Sequence, residues 1–147
     1  MSSVLLKMSH KPAVSVVRDA NVMAAIRIMF ETRVGACLVL DGERPVGIFT
    51  ERDVMVKVVL KKLDPETTPV SAVMTSPVIP IDVGASVADA VRVMVARHIR
   101  HLPVVDKDAK VLGMLSMRHV MREQIDRLEQ QVGALENYIG AEGVAGG

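Results

Sequence analysis

A hydroxyl and a carboxylate stand three residues apart in Gly47-Ile48-Phe49-Thr50-Glu51-Arg52-Asp53, where an apolar run gives way to a polar one. The pattern reads as a buried strand entering the N-terminus of a helix, where free backbone N–H groups can meet a ligand. Thr50 suits the N-cap, and Glu51 and Asp53 put negative charge in the first turn, where the helix dipole favours it. Two chemistries fit these residues. One is a ligand site; the other is a capping box in which Thr50 and Asp53 satisfy each other's backbone. The same junction recurs as Gly113-Met114-Leu115-Ser116-Met117-Arg118-His119, so Ser116, Arg118 and His119 form a second candidate site with an imidazole in place of the carboxylate.

Other chemistries find less support. His98, His101, His119 and Cys37 lack the tight spacing of a metal motif, and no metal site is expected. There is no dinucleotide-binding Gly-x-Gly-x-x-Gly, no phosphate-binding P-loop and no Gly-x-Ser-x-Gly elbow, and nothing pairs a nucleophile with a base. The chain reads as a non-enzyme. Its formal charge is +1, with 18 basic and 17 acidic residues interspersed, which argues against a nucleic-acid footprint or a membrane-binding patch. A single cysteine fits a reducing compartment, and the proline-broken stretch from Thr67 to Ile81 cannot span a bilayer, so a cytoplasmic protein is expected.

The elements that must hold the two junctions are themselves duplicated. Pro12, Val14, Val16, Ala20, Val22, Ala25, Arg27 and Met29 match Pro77, Ile79, Ile81, Ala85, Val87, Ala90, Arg92 and Met94 at a constant offset of 65. Val39-Leu40-Asp41 matches Val104-Val105-Asp106 at the same offset, which becomes 66 by Gly113, so one residue is inserted in a turn. This is an internal repeat. In the first unit, Pro12 to Val17 reads as a strand. A helix capped by Asp19 or Asn21 buries Val22, Ala25, Ile26 and Met29; strands Gly35 to Leu40 and Val46 to Phe49 meet at Asp41-Gly42, and a helix runs from Glu51 to about Lys62. The second unit repeats this with strand Val78 to Ile81, helix Val87 to Ala96, strands Leu102 to Val105 and Val111 to Leu115, and a turn at Lys107 to Lys110. Val4 to Met8 forms a helical turn or strand ahead of both. Half the residues are hydrophobic but only 2% aromatic, so the core rests on aliphatic side chains and ten methionines, as in buried strands of an α/β fold.

This order, the paired Gly-apolar-apolar-Thr/Ser junctions and the run Arg100-His101-Leu102-Pro103-Val104-Val105-Asp106 resemble tandem cystathionine β-synthase (CBS) domains, the Bateman module, and most closely the small stand-alone bacterial pairs. The resemblance spans about Pro12 to Ile125. It implies an α/β (α+β) fold of two β-α-β-β-α repeats related by a pseudo-two-fold axis, plus a C-terminal helix. Repeat 1 would cover 8–63, a linker 64–69, repeat 2 70–125, and a helical extension with a flexible tail 126–147. It further implies a sensor of adenosine-containing ligands, AMP first, then NAD, ATP or ADP and S-adenosylmethionine, acting on an unidentified regulated protein.

The residues admit that role. A carboxylate such as Asp53 accepts both hydroxyls of a ribose, while Thr50 and the first-turn N–H groups suit a phosphate. Arg52 reaches the same phosphates or stays a solvated surface side chain. By the family pattern an adenine slot comes from Ala13, Val14, Ala36 and Ile48, which serve equally as plain core. His119 departs from that pattern, because one imidazole nitrogen cannot receive two hydrogen bonds from a diol. The second cleft is therefore expected to bind weakly, in another pose, or not at all. Ser116 and Arg118 remain able to hold phosphate, with Arg100 and His101 beside them.

Met121, Ile125, Leu128, Val132, Leu135 and Ile139 are spaced four, three, four, three, four, a narrow seam on the last helix. Such a helix either folds back on its own domain or faces a partner, and a homodimer through helices including Met121 to Ile139 is the expectation. Two functions compete: a nucleotide sensor whose ligand biases the two repeats, and a ligand-independent dimerisation module in which Thr50 and Asp53 are only a cap.

Overall fold

Alternation along the central strands sets the architecture. The computed structural model describes residues 3–145, and in it the first unit forms a three-stranded sheet from Ser15–Val17 (β1), Ala36–Asp41 (β2) and Arg44–Thr50 (β3). β1 pairs parallel with β2, and β2 antiparallel with β3. Ile81–Asp82 (β4), His101–Val105 (β5) and Val111–Ser116 (β6) repeat that order and those directions in a second sheet. In β2, Cys37 and Val39 face a core that also holds Val22, Ala25, Met29 and Phe49, while Ala36 and Leu38 face the other sheet together with Ile48 and Met114. Strands buried on both faces must be apolar at every position, which is why they read as continuous hydrophobic runs.

The helices close each sheet from one side. Val4–Met8 (α1) precedes β1, Val22–Thr32 (α2) links β1 to β2, and Val87–Arg97 (α4) links β4 to β5. Asn21, one of the two candidates, caps α2 by accepting Ala24 N–H at 2.8 Å. Ser86 and Asp89 form a capping box on α4. Both α2 and α4 end on a left-handed residue, Arg33 and His98, 65 positions apart.

Three features depart from the expected layout. Glu51–Asp53 (α3) is a single α-helical turn that widens into π-helical Val54–Val59, with Leu60 N–H donating to Met55 C=O at 3.0 Å. Four of those six residues are valine, whose branched side chains crowd the preceding turn of a regular helix. The wider turn still buries Val58 in the first core. The last helix, Met117–Ala145 (α5), continues through Gly140 and Gly143, where a flexible tail was expected; residues 146–147 lie outside the described chain. Finally, the lead segments are exchanged. Val70 and Val73 pack in the first core, and Leu5 of α1 packs in the second with Ile81, Ala90, Met94, Leu102 and Leu115.

Two backbone clasps join the sheets. His10 and Met114 exchange N–H···O bonds of 2.9 and 3.0 Å, and Ile48 and Thr75 exchange bonds of 2.9 and 2.7 Å. His10 and Thr75 are 65 apart, and Ile48 and Met114 are 66 apart, so the two clasps are the same contact under the pseudo-two-fold relation. The segment between the repeats is ordered against α2: Val22 N–H donates to Thr68 C=O and Met23 N–H to Pro65 C=O.

Candidate functional site: a basic cleft between the repeats

The two junctions fold alike and end up in different surroundings. At the first, Thr50 Oγ1 accepts Asp53 N–H at 3.2 Å and Asp53 Oδ2 accepts Thr50 N–H at 3.0 Å, so the capping box is formed. The Asp53 carboxylate does more than cap. It accepts the Thr75 hydroxyl at 2.9 Å and pairs with Lys57 Nζ at 3.1 Å, and the residue is only 4% exposed. Lys57 also donates to Thr75 Oγ1 and to Met74 C=O. Asp53 therefore ties the first helix to the lead of the second repeat, and a ribose at its carboxylate would have to displace Thr75 or Lys57.

The second junction opens on a cleft of about 1550 Å³. Here Ser116 Oγ accepts His119 N–H at 3.1 Å and His119 Nδ1 accepts Ser116 N–H at 3.2 Å, an imidazole version of the same box. Around it stand Arg33 from the end of α2, Arg100 and His101 from the entry to β5, and Arg118 and Arg122 from α5. Four arginines and two glutamates, Glu31 and Glu51, line this space, and the Glu51 carboxyl and His101 Nε2 both lie beside Gly35. Among the described residues none of the four guanidiniums forms an ion pair. Ala36 and Met114, from the cluster between the sheets, and Val14, packed against the first core, supply an apolar wall.

The electrostatics follow from burial and like charge. Burial pushes His101 down to about 4, helped by the positive charge of His119 and Arg100. His119 is likewise held below the usual histidine value, by burial first and then by His10, Arg118 and Arg122. Both rings are held uncharged at neutral pH by burial first, with the neighbouring positive charge adding to it. An anion placed there meets unpaired guanidinium donors and relieves that repulsion.

The candidates thus separate. Ser116, Arg118, His119, Arg100 and His101 converge on one cleft, and Val14 and Ala36, expected beside Asp53, line this cleft instead. Val14 C=O accepts Leu38 N–H, so strand pairing within the first sheet sets Val14 beside the β2 residues that line the cleft with it. Ala13 and Ile48 pack between the sheets. Thr50 and Asp53 are absent from the lining, and Arg52 is an exposed side chain outside it. Arg33, Arg122 and His10 were not anticipated. Arg122 had a signal, standing one helical turn beyond Arg118; Arg33 had none, since its place depends on how α2 ends. Cys37 is fully buried, and desolvation raises its thiol to about 12. Among the described residues no three His, Cys, Asp or Glu side chains are grouped for a metal, and no helix is long and apolar enough to cross a membrane.

Two pseudo-symmetric α/β units with exchanged lead segments and a cleft between them define an internally paired module. The CBS domain family matches the chain twice, over residues 3–60 and 70–126, and the protein belongs to that family as a tandem pair. It is similar to a CBS-domain protein from Burkholderia ambifaria, at 32% identity with a TM-score of 0.78, covering 85% of this chain and 95% of that one. It is also similar to a CBS domain protein from Pyrobaculum aerophilum complexed with AMP, at 28% identity and a TM-score of 0.72, covering 78% and 88%. An uncharacterized protein of Methanopyrus kandleri is 31% identical over 111 residues; the match covers 73% of this chain and 57% of that relative's length.

Proposed function

We propose that the chain is a regulatory sensor that binds an adenosine phosphate in the cleft between its repeats, AMP first, with ADP, ATP, NAD and S-adenosylmethionine as competitors. The observation that carries this reading is the set of four unpaired arginines around one open cleft with an apolar wall. Those guanidiniums suit phosphate, and Val14, Ala36 and Met114 suit a base. The AMP bound by the Pyrobaculum aerophilum relative supports the ligand class. Because the cleft is lined by both repeats, its ligand acts by favouring one arrangement of the two over another. No catalytic step is needed.

The second part of the reading is a homodimer. Met121, Ile125, Leu128, Val132, Leu135 and Ile139 are each more than half exposed along α5. In heptad terms Ile125, Val132 and Ile139 take the a positions and Met121, Leu128 and Leu135 the d positions. Branched residues at a with leucine at d favour two parallel strands, so the partner is a second copy of the chain. Exposed Met55, Val56 and Val59 on the π-helical segment, with Leu60 just after it, offer a further apolar face.

A thermal-shift panel tests the sensor. A ligand at 100 times its Kd adds about 2.7 kcal/mol, or roughly 5–10 °C for a chain of this size. AMP should give such a rise; no rise with any of the five ligands at millimolar concentration would leave only the ligand-independent dimerisation module.

A further inference from the structure

The two junctions share a backbone geometry and differ in hydrogen-bonding polarity. After accepting Thr50 N–H, the Asp53 carboxylate still has lone pairs for Thr75 and Lys57, and it offers acceptors only. A neutral imidazole has one lone pair. In His119 that lone pair is on Nδ1 and is already used by Ser116 N–H, because a backbone N–H can only donate. The ring proton must then be on Nε2. His119 consequently presents one donor to a ligand and no acceptor. Arg118 and Arg122, whose charges act on the His119 ring, and Arg100, which acts with His119 on His101, line the same cleft and are also donors without acceptor capacity. A ribose diol needs acceptors for its two hydroxyl protons, and this wall supplies none from these four side chains.

We propose that the His119 end of the cleft holds the phosphate of the ligand, with Nε2–H and the three guanidiniums donating to its oxygens, so that phosphate occupies the place where the first repeat has its acidic group. This rests on the nucleotide-sensor reading and gives that ligand an orientation. The base then faces Val14, Ala36 and Met114, and the depressed basicity of His119 keeps the ring in the neutral, donor-only form at neutral pH.

Titration calorimetry at pH 7.5 with AMP, adenosine and inorganic pyrophosphate, on the wild type and on His119→Asp and His119→Asn, tests the orientation. Asp and Asn both keep an acceptor for Ser116 N–H, so the cap survives, and a melting curve for each variant checks folding. The proposal expects AMP to bind at least tenfold more tightly than adenosine. His119→Asp should lose about tenfold or more in AMP affinity through loss of a charge-assisted hydrogen bond, with adenosine unaffected, and His119→Asn should lose less because its amide still donates. If adenosine binds as tightly as AMP, or His119→Asp tightens AMP, the orientation is overturned and the sensor reading stands. If pyrophosphate matches AMP and His119→Asp abolishes both, the phosphate site stands and the nucleotide reading falls. Absence of binding by all three ligands overturns both.

Discussion

Asp53→Ala separates a structural carboxylate from a ligand-binding one. The wild-type side chain is 6% exposed and closes three interactions: the Thr50 N–H at 3.0 Å, the Thr75 hydroxyl at 2.9 Å and Lys57 Nζ at 3.1 Å. Losing a helix cap costs about 1 kcal/mol. Losing a hydrogen bond to a charged acceptor costs about 1.5–3 kcal/mol, here the one that ties the first repeat to the lead of the second. Lys57 is 35% exposed and can turn to water, so its pair adds little. Together the change should destabilise the protein by about 3 kcal/mol, a fall of roughly 10 °C in midpoint. Urea unfolding at pH 7.5 reads the free energy directly, and Asp53→Asn, which can still accept from Thr50 N–H, should lose less. AMP affinity should change by no more than about twofold, because Asp53 does not line the open cleft. A variant that melts within about 2 °C of the wild type and loses AMP affinity tenfold would refute this, and would put the ribose on Asp53 after all.

Acidification should destabilise the fold. His101 titrates at about 4 in the folded chain against about 6.5 when unfolded, so between those values the unfolded state binds more protons, and stability is full above pH 6.5 and falls as pH drops toward 4. The loss from His101 is of order 3 kcal/mol at the acid end, measured as urea midpoints at pH 7.5 and 4.5; His101→Phe should remove that part and leave the contribution of His119, which is lowered too. Gly47→Ala should cost about 1–3 kcal/mol, since its Cβ would meet Met74 Sδ at 2.5 Å and the Thr75 carbonyl oxygen at 3.0 Å; chemical denaturation against Gly133→Ala, which meets nothing, gives the comparison. Leu128→Glu with Leu135→Glu should convert a dimer, twice the 15.9 kDa protomer by light scattering, to a monomer with an unchanged core. A wild type that is monomeric at tens of micromolar would remove the coiled-coil reading.

The repeat was legible because its evidence is local and paired: apolar strands matched at one offset, and each junction carried its own cap signal. Helix α4 lies where Val87, Ala90 and Met94 predicted it, and the two hairpins close where Asp41-Gly42 and Lys107 to Lys110 placed them. Contacts between distant parts of the chain were less legible. Nothing in Val70 or Leu5 says that each will pack with the other repeat's sheet. Val14 stays on the first sheet, its carbonyl accepting Leu38 N–H, and lines the cleft that holds His119, whereas Asp53 does not line it. The widening of α3 was missed because the valines that cause it also satisfy an apolar helical pattern.

Duplication by itself makes two equal clefts, and the differences that make these two unequal can be traced residue by residue. Asp53 is closed in by Thr75 and Lys57. The counterpart of Thr75 is His10, whose Nδ1–H donates to Pro12 C=O at 3.1 Å and so turns inward on its own segment. The counterpart of Lys57 is Glu123, an exposed residue that forms no ion pair among the described residues. Replacing the acid by His119 removes the group that would hold such partners. Each of the three changes takes away a contact that fills the first cleft, and Arg118 and Arg122 then face the space that remains. The first junction is thereby closed by contacts between the repeats, and the second is left with exposed guanidiniums that form no ion pair among the described residues, and with room for an anion.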